Sequence, residues 1–110
     1  MERVALYGDP LSGIHPAIPP AEFTGSIYTA SDNVYINGSR AARVGDTTIE
    51  YCLLHVDSSG NIVPQFGTLI HGSPNVFING IPAAYAMKDI QPHAGTARLT
   101  DGGSTNVFIV

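Results

Sequence analysis

Hydrophobic and polar positions alternate in three short runs that are nearly one phrase. Residues 33–38 read NVYING, residues 75–80 read NVFING and residues 106–110 read NVFIV. In each run Val and Ile fall on one side and the aromatic residue on the other, the period of two expected of a strand with one buried face. β-Branched and aromatic side chains suit that pleated surface. In the first two runs Asn-Gly follows at once. That dipeptide favours a two-residue type I′ turn, in which both central residues need positive φ. The runs therefore predict β-hairpins with return strands over residues 39–44 and 81–86. Pro82 then belongs at an edge or beside the turn, where no ladder N–H is needed.

Aligning Ser31 with Ser73, an offset of 42, extends the likeness without a gap for a dozen residues. Ala41-Ala42 falls over Ala83-Ala84. The third copy, from Ser104 to Val110, stops before any Asn-Gly. Its return strand is expected at the other end of the chain, where Arg3-Val4-Ala5-Leu6-Tyr7-Gly8-Asp9 ends on Gly-Asp as Arg43-Val44-Gly45-Asp46 does. Residues 106–110 should then pair with about residues 3–7. The expected fold is all-β, a single domain over 1–110. Its repeats lie near 31–46, 73–89 and 104–110 completed by 3–9, with approximate threefold symmetry. An array closed in this way leaves few free sheet edges; a plain β-meander is the alternative. Between the repeats the sequence reads as loops. The stretch 10–20 holds four prolines and is expected to be irregular. Residues 56–67 contain the turn cluster Ser58-Ser59-Gly60-Asn61, and residues 84–90 suggest one turn of helix.

Composition adds a partner to this picture. Charged residues are 13% of the chain, against about 25% in an average soluble domain. So little charge suggests that part of the surface is covered by another molecule; a neutral, Gly-rich polar surface is the alternative. A net charge of −4 with five Lys and Arg argues against nucleic acid, which demands a basic footprint. No apolar run is long enough to span a membrane. The opening MERVALYGDP lacks the pattern of a signal peptide, so synthesis in the cytoplasm and export by some other machine are expected. The single cysteine, Cys52, excludes an internal disulfide.

Cysteine and histidine supply the candidate chemistry. His15, Cys52 with His55, and His93 each follow an aspartate that closes a repeat, namely Asp9, Asp46 and Asp89. If the repeats surround one axis, the segments leaving them can converge at one end. Imidazole and thiolate are the preferred ligands of Zn²⁺, and Cys52-x-x-His55 allows one tight loop to supply two of them. Four protein ligands leave no open position, which makes such a site structural. A buried cysteine beside surface histidines is the plainer alternative. His71, at the start of a repeat like Thr29 and Gly102, is expected to face solvent. Two rival functions remain. A metal-dependent hydrolase would need an open coordination position and Glu50 or Asp46 as general base; a Cys52–His55 nucleophile pair is a variant. A metal-free adaptor for another trimeric protein is the second.

The doubled phrase GSPNVFINGIPAA and SDNVYINGSRAA, the later Gly-Asp and the Cys/His set together resemble the PAAR-repeat proteins, over nearly the whole chain. These cap the trimeric spike of type VI secretion systems, contractile phage tails and related particles. The resemblance implies a small cone on a spike of three β-helical chains, one tip chain per trimer. It also implies one structural zinc near the apex, held by His15, Cys52, His55 and His93, with His71 as fallback. The name-giving motif departs from pattern: Arg40-Ala41-Ala42-Arg43 in one copy, Pro82-Ala83-Ala84-Tyr85 in the other, with Met87-Lys88-Asp89 where Val-Gly-Asp is usual. The chain reads as a bare tip, so any effector would be a separate partner, and contact with the target membrane would be transient. Either strand face could meet the spike. Tyr35, Phe77 and Phe108 are favoured over the Val/Ile set because aromatic residues are enriched at interface cores.

Overall fold

The computed structural model describes residues 2–109. Its strands, in chain order, are β1 (Glu2–Arg3), β2 (Pro10–His15), β3 (Ala21–Ile27), β4 (Tyr35–Ile36), β5 (Ser39–Arg40), β6 (Thr47–Cys52), β7 (Gln65–Leu69), β8 (Gly72–Ile78), β9 (Ile81–Ala84), β10 (Asp89–Gln91), β11 (Thr96–Leu99) and β12 (Phe108–Ile109). No helix occurs among the described residues, and the expected helical turn at 84–90 is instead the end of β9, a turn and the start of β10. The body is elongated, 43 × 23 × 22 Å.

The three phrases form the three antiparallel pairs β4–β5, β8–β9 and β1–β12. Asn37 and Asn79 have φ of 54° and 52°, and the glycines after them 86° and 81°. These are the left-handed turns that Asn-Gly was expected to make. Chain closure is also present: Glu2 pairs with Ile109 and Arg3 with Phe108. Val110, the last residue assigned to that pairing, lies outside the described residues. Ile78 and Ile109 are buried with Val4, Ala41 and Ala83, and Val34, Ile36 and Val76 pack against them.

A ring of backbone hydrogen bonds joins the repeats. Ala5 N–H donates to Ala84 O at 2.9 Å, Ala84 N–H to Ala42 O at 3.0 Å, and Ala42 N–H to Ala5 O at 2.9 Å. The three alanines are wholly buried, so each of these polar groups must find its partner inside the protein. A second cycle surrounds the first: Tyr7 N–H to Arg40 O, Val44 N–H to Pro82 O and Ala86 N–H to Arg3 O, at 2.8–2.9 Å. Pro82 thus serves as an acceptor in a place that asks no N–H of it. Ser31, Ser73 and Ser104 are buried where each phrase begins. The Ser31 and Ser104 hydroxyls donate to the carbonyls of Val34 and Val107, while Ser73 Oγ accepts the N–H of Val76.

The segments expected to be loops build a closed six-stranded barrel, in the order β10-β11-β2-β3-β6-β7. The proline-rich stretch is therefore only partly irregular. Pro10 is the first residue of β2 and accepts Thr100 N–H through its carbonyl, while Pro16, Pro19 and Pro20 fall after the strand. A proline costs a ladder bond only inside a strand, not at its first residue. Close strand approach is met by glycine. A Cβ on Gly25 would lie 2.0 Å from Ile49 O, and one on Gly13 2.5 Å from the Phe23 ring. Ile27, Leu69 and Leu99, one from each repeat, fill the barrel together with Leu11, Phe23, Ile90 and Cys52.

The turn from each hairpin into the barrel corrects the sequence alignment at one point. Asp9 and Asp46 each accept the N–H three residues back, from Leu6 and Arg43, at 2.8 Å. In the remaining copy Lys88 occupies this position, its carbonyl accepting Leu99 N–H as Asp46 O accepts Leu69 N–H and Asp9 O accepts Ile27 N–H. Asp89 is one residue further on, the first residue of β10, in register with Arg98 of the adjacent strand β11. Met87 accordingly takes the place of Gly8 and Gly45, with φ of 63° against 85° and 94°. A left-handed conformation costs a non-glycine residue about 1–2 kcal/mol, and Met87 is too exposed for packing to return much of it. Met87→Gly is expected to stabilise the fold by about 1 kcal/mol, read as a higher urea midpoint at unchanged slope. A lower midpoint would mean that the Met87 side chain holds the turn.

Candidate metal centre

Three chain segments carry the candidate residues to the end of the barrel away from the hairpins. His15 is the last residue of β2 and Cys52 the last of β6. His55 follows in a tight turn, its N–H donating to Cys52 O at 3.0 Å. His93 lies two residues beyond β10. The loop after His55 is braced by the Asp57 carboxylate, which accepts Ser59 and Asn61 N–H, and by the hydrogen bond from Val63 N–H to His55 O.

These side chains converge. One ligand atom from each of His15, Cys52, His55 and His93 can be chosen so that all lie within 4.8 Å of one another. Cys52 Sγ is 3.6 Å from His15 Nδ1, and His93 Nε2 is 3.3 Å from the same nitrogen. With bonds of about 2.0–2.1 Å to nitrogen and 2.3 Å to sulfur, the edges of a tetrahedral shell come to roughly 3.3–3.6 Å. His55 Nε2 is buried without a hydrogen-bond partner, an arrangement proteins avoid unless something else takes the lone pair. Donor set, spacing and orphaned nitrogen all fit a metal ion. Burial and the imidazoles of His93 and His15 hold the pKa of His55 below its ordinary value, which keeps it in the neutral, ligating form.

His71 has no part in this group. It is exposed, immediately before β8. The two carboxylates considered as general bases lie elsewhere in role or place. Asp46 is engaged by Arg43 at 3.1 Å and by Thr29 Oγ1, six residues down the strand from Cys52, or roughly 20 Å. Glu50 is fully buried. Its Oε1 accepts His93 N–H at 2.9 Å and meets His93 Nδ1 at 2.6 Å, and its Oε2 accepts the Thr48 hydroxyl at 2.6 Å. The contact between Glu50 and His93 went unnoticed in the sequence, although alternation offers a signal: Thr48, Glu50 and Cys52 share the buried face of β6. In the segments that carry the cluster Ile18, Leu53, Leu54, Val56 and Val63 are exposed apolar residues, beside the exposed polar loop residues Asp57, Ser58, Ser59 and Asn61. At the other end Tyr35, Phe77 and Phe108 are exposed at equivalent positions, 58%, 55% and 46% accessible.

Comparison with known proteins gives one family. The model of the PAAR motif matches residues 19–96, well over half of the chain, and the protein belongs to that family. Cys52, His55 and His93 fall inside the matched segment; His15 precedes it and is brought to the others by β2. None of the curated proteins matches the chain. Membership fits a spike-tip role in contractile injection machines generally, in a family of structural tips. Among the described residues no helix is long and apolar enough to cross a membrane.

The depressed pKa of His55 has a consequence for stability. The unfolded chain takes up the His55 proton near pH 6.5, whereas the folded chain resists it. Metal-stripped protein should therefore hold its full stability above that pH and lose it as pH falls below. Melts between pH 7.5 and 5.5 should show a falling midpoint in wild type and a smaller fall in His55→Asn. Identical pH profiles would show that His55 is not held neutral.

Proposed function

We propose that this chain caps a trimeric β-helical spike, one chain per trimer, as the tip of a contractile injection machine. A single zinc bound by His15, Cys52, His55 and His93 stiffens its far end. The observation that carries this reading is the cyclic threefold joining of the hairpins, with an aromatic residue outward from each. One chain thereby presents three near-equivalent surfaces to three identical subunits and resolves the mismatch between a trimer and a single end. Tyr35, Phe77 and Phe108 form the docking face. At the opposite end few side chains fit, so apolar burial is limited and metal–ligand bonds supply the rigidity. The apolar residues around the ligands suit transient contact with a target membrane, and an effector would ride as a separate protein.

Zinc suits the donor set, since one thiolate and three imidazoles fill a tetrahedral shell and leave no open position. A hydrolytic role finds no support: Asp46 is remote and both oxygens of Glu50 are occupied.

The metal half of the proposal predicts about one zinc per chain by elemental analysis of protein purified without chelator. It also predicts that Cys52→Ala lowers stability by more than about 4 kcal/mol, the scale of losing a structural metal. Absence of tightly held metal, or an unchanged melt, would reject it. The docking half predicts a complex of one chain with one recombinant β-helical trimer from the same gene neighbourhood. Phe77→Asp should weaken that complex at least about tenfold without moving the thermal midpoint. No complex, or an affinity indifferent to Phe77, Tyr35 and Phe108, would rule out this face.

A further inference from the structure

We propose that Glu50 orients His93 toward the ion and balances the ion's charge, which makes the centre selective for a divalent cation; this rests on the metal-site reading above. A carboxylate wholly removed from water is costly unless every lone pair is engaged. Oε1 holds His93 twice, through the backbone N–H at 2.9 Å and the ring Nδ1 at 2.6 Å, while Oε2 takes the Thr48 hydroxyl at 2.6 Å. An ionised carboxylate only accepts, so the proton of the His93 ring is on Nδ1 and the lone pair on Nε2. Nε2 is the atom that faces the cluster, 3.3 Å from His15 Nδ1. The ring of Phe23, 4.6 Å away and edge-on, limits rotation of the imidazole.

The neighbouring glycine is shaped to this carboxylate. A Cβ on Gly67 would lie 2.3 Å from Glu50 Oε2 and 2.7 Å from Thr48 Oγ1. Gly67 is not among the positive-φ residues; its missing side chain leaves room for Glu50 and Thr48, and for Gln91 O at 2.6 Å from the same point, and does not serve a turn.

The charges point the same way. Among the described ion pairs, those of Arg and Lys go to Asp46 and Glu2, and Glu50 pairs only with His93. Glu50 and a ligating Cys52 thiolate, both inaccessible, bring two negative charges to one buried place. A divalent ion neutralises them. A monovalent ion such as Cu(I), which thiolate and imidazole also bind well, leaves one charge uncompensated.

Glu50→Gln removes the charge and little else, because the amide oxygen can still accept from His93 and the amide NH₂ can donate to Thr48 Oγ1. Competition with a chromophoric chelator should find Zn²⁺ bound about 10–100-fold more weakly by the variant. Cu(I) affinity should change far less, so the Zn²⁺ to Cu(I) ratio falls at least about tenfold. Nitrogen-15 spectra of metal-free wild-type protein should show His93 protonated at Nδ1, and this arm does not depend on the variant folding. An unchanged Zn²⁺ to Cu(I) ratio, or a His93 ring protonated at Nε2, overturns the role of Glu50. Wild-type protein that takes up no metal overturns the metal-site reading itself, a result distinguishable from zinc binding that ignores the substitution.

Discussion

Three buried backbone hydrogen bonds, passed in a circle between Ala5, Ala42 and Ala84, hold this molecule to its form. Each joins residues from two different repeats, so the circle closes only when all three hairpins are present. The residue at this point must be small, because three copies meet with no accessible surface. It must also be paired, because a buried amide left alone costs more than a formed bond returns. The ring therefore turns three marginal hairpins, none stable by itself, into one cooperative unit. It also explains why the chain's two ends lie together: the third member of the cycle is assembled from the first residues and the last.

From that ring the geometry of the distant centre follows. Each repeat turns into a barrel strand through a left-handed residue and, in two of three copies, an aspartate that accepts the N–H three residues back. Barrel closure leaves no free edge, and its strands carry His15, Cys52 and the approach to His93 to a common end. The barrel has a small bore, which is why glycine recurs where one strand crosses close to another. Cys52 and the three histidines are gathered there, and an ion held by these four donors would be a concentrated source of attraction.

Departures from threefold symmetry are as informative as the symmetry. Lys88 and Met87 stand where the other copies have Asp and Gly, and the strand that follows carries its histidine differently. His93 is anchored not by its own strand but from the side, by a carboxylate on β6. A body built of three like parts thus carries a single Cys/His cluster, and only one of the three barrel hairpins has Thr48, Glu50 and Gly67 at the matching places.

Sequence alone determined the hairpins and their closure. Period-two alternation, Asn-Gly and an offset repeat are local signals, and local backbone chemistry dictates what they build. It also determined which four side chains to bring together, because so few cysteines and histidines are present. What it did not contain was the barrel. Its strands are short, interrupted by Gly and Pro, and have no strong alternation of their own; they become strands because each is paired on one edge by its hairpin neighbour and on the other by a strand of another repeat, distant in the chain. The same limit applies to Glu50. A carboxylate reads as a polar surface residue until the tertiary structure removes water from it and offers His93 and Thr48 in exchange.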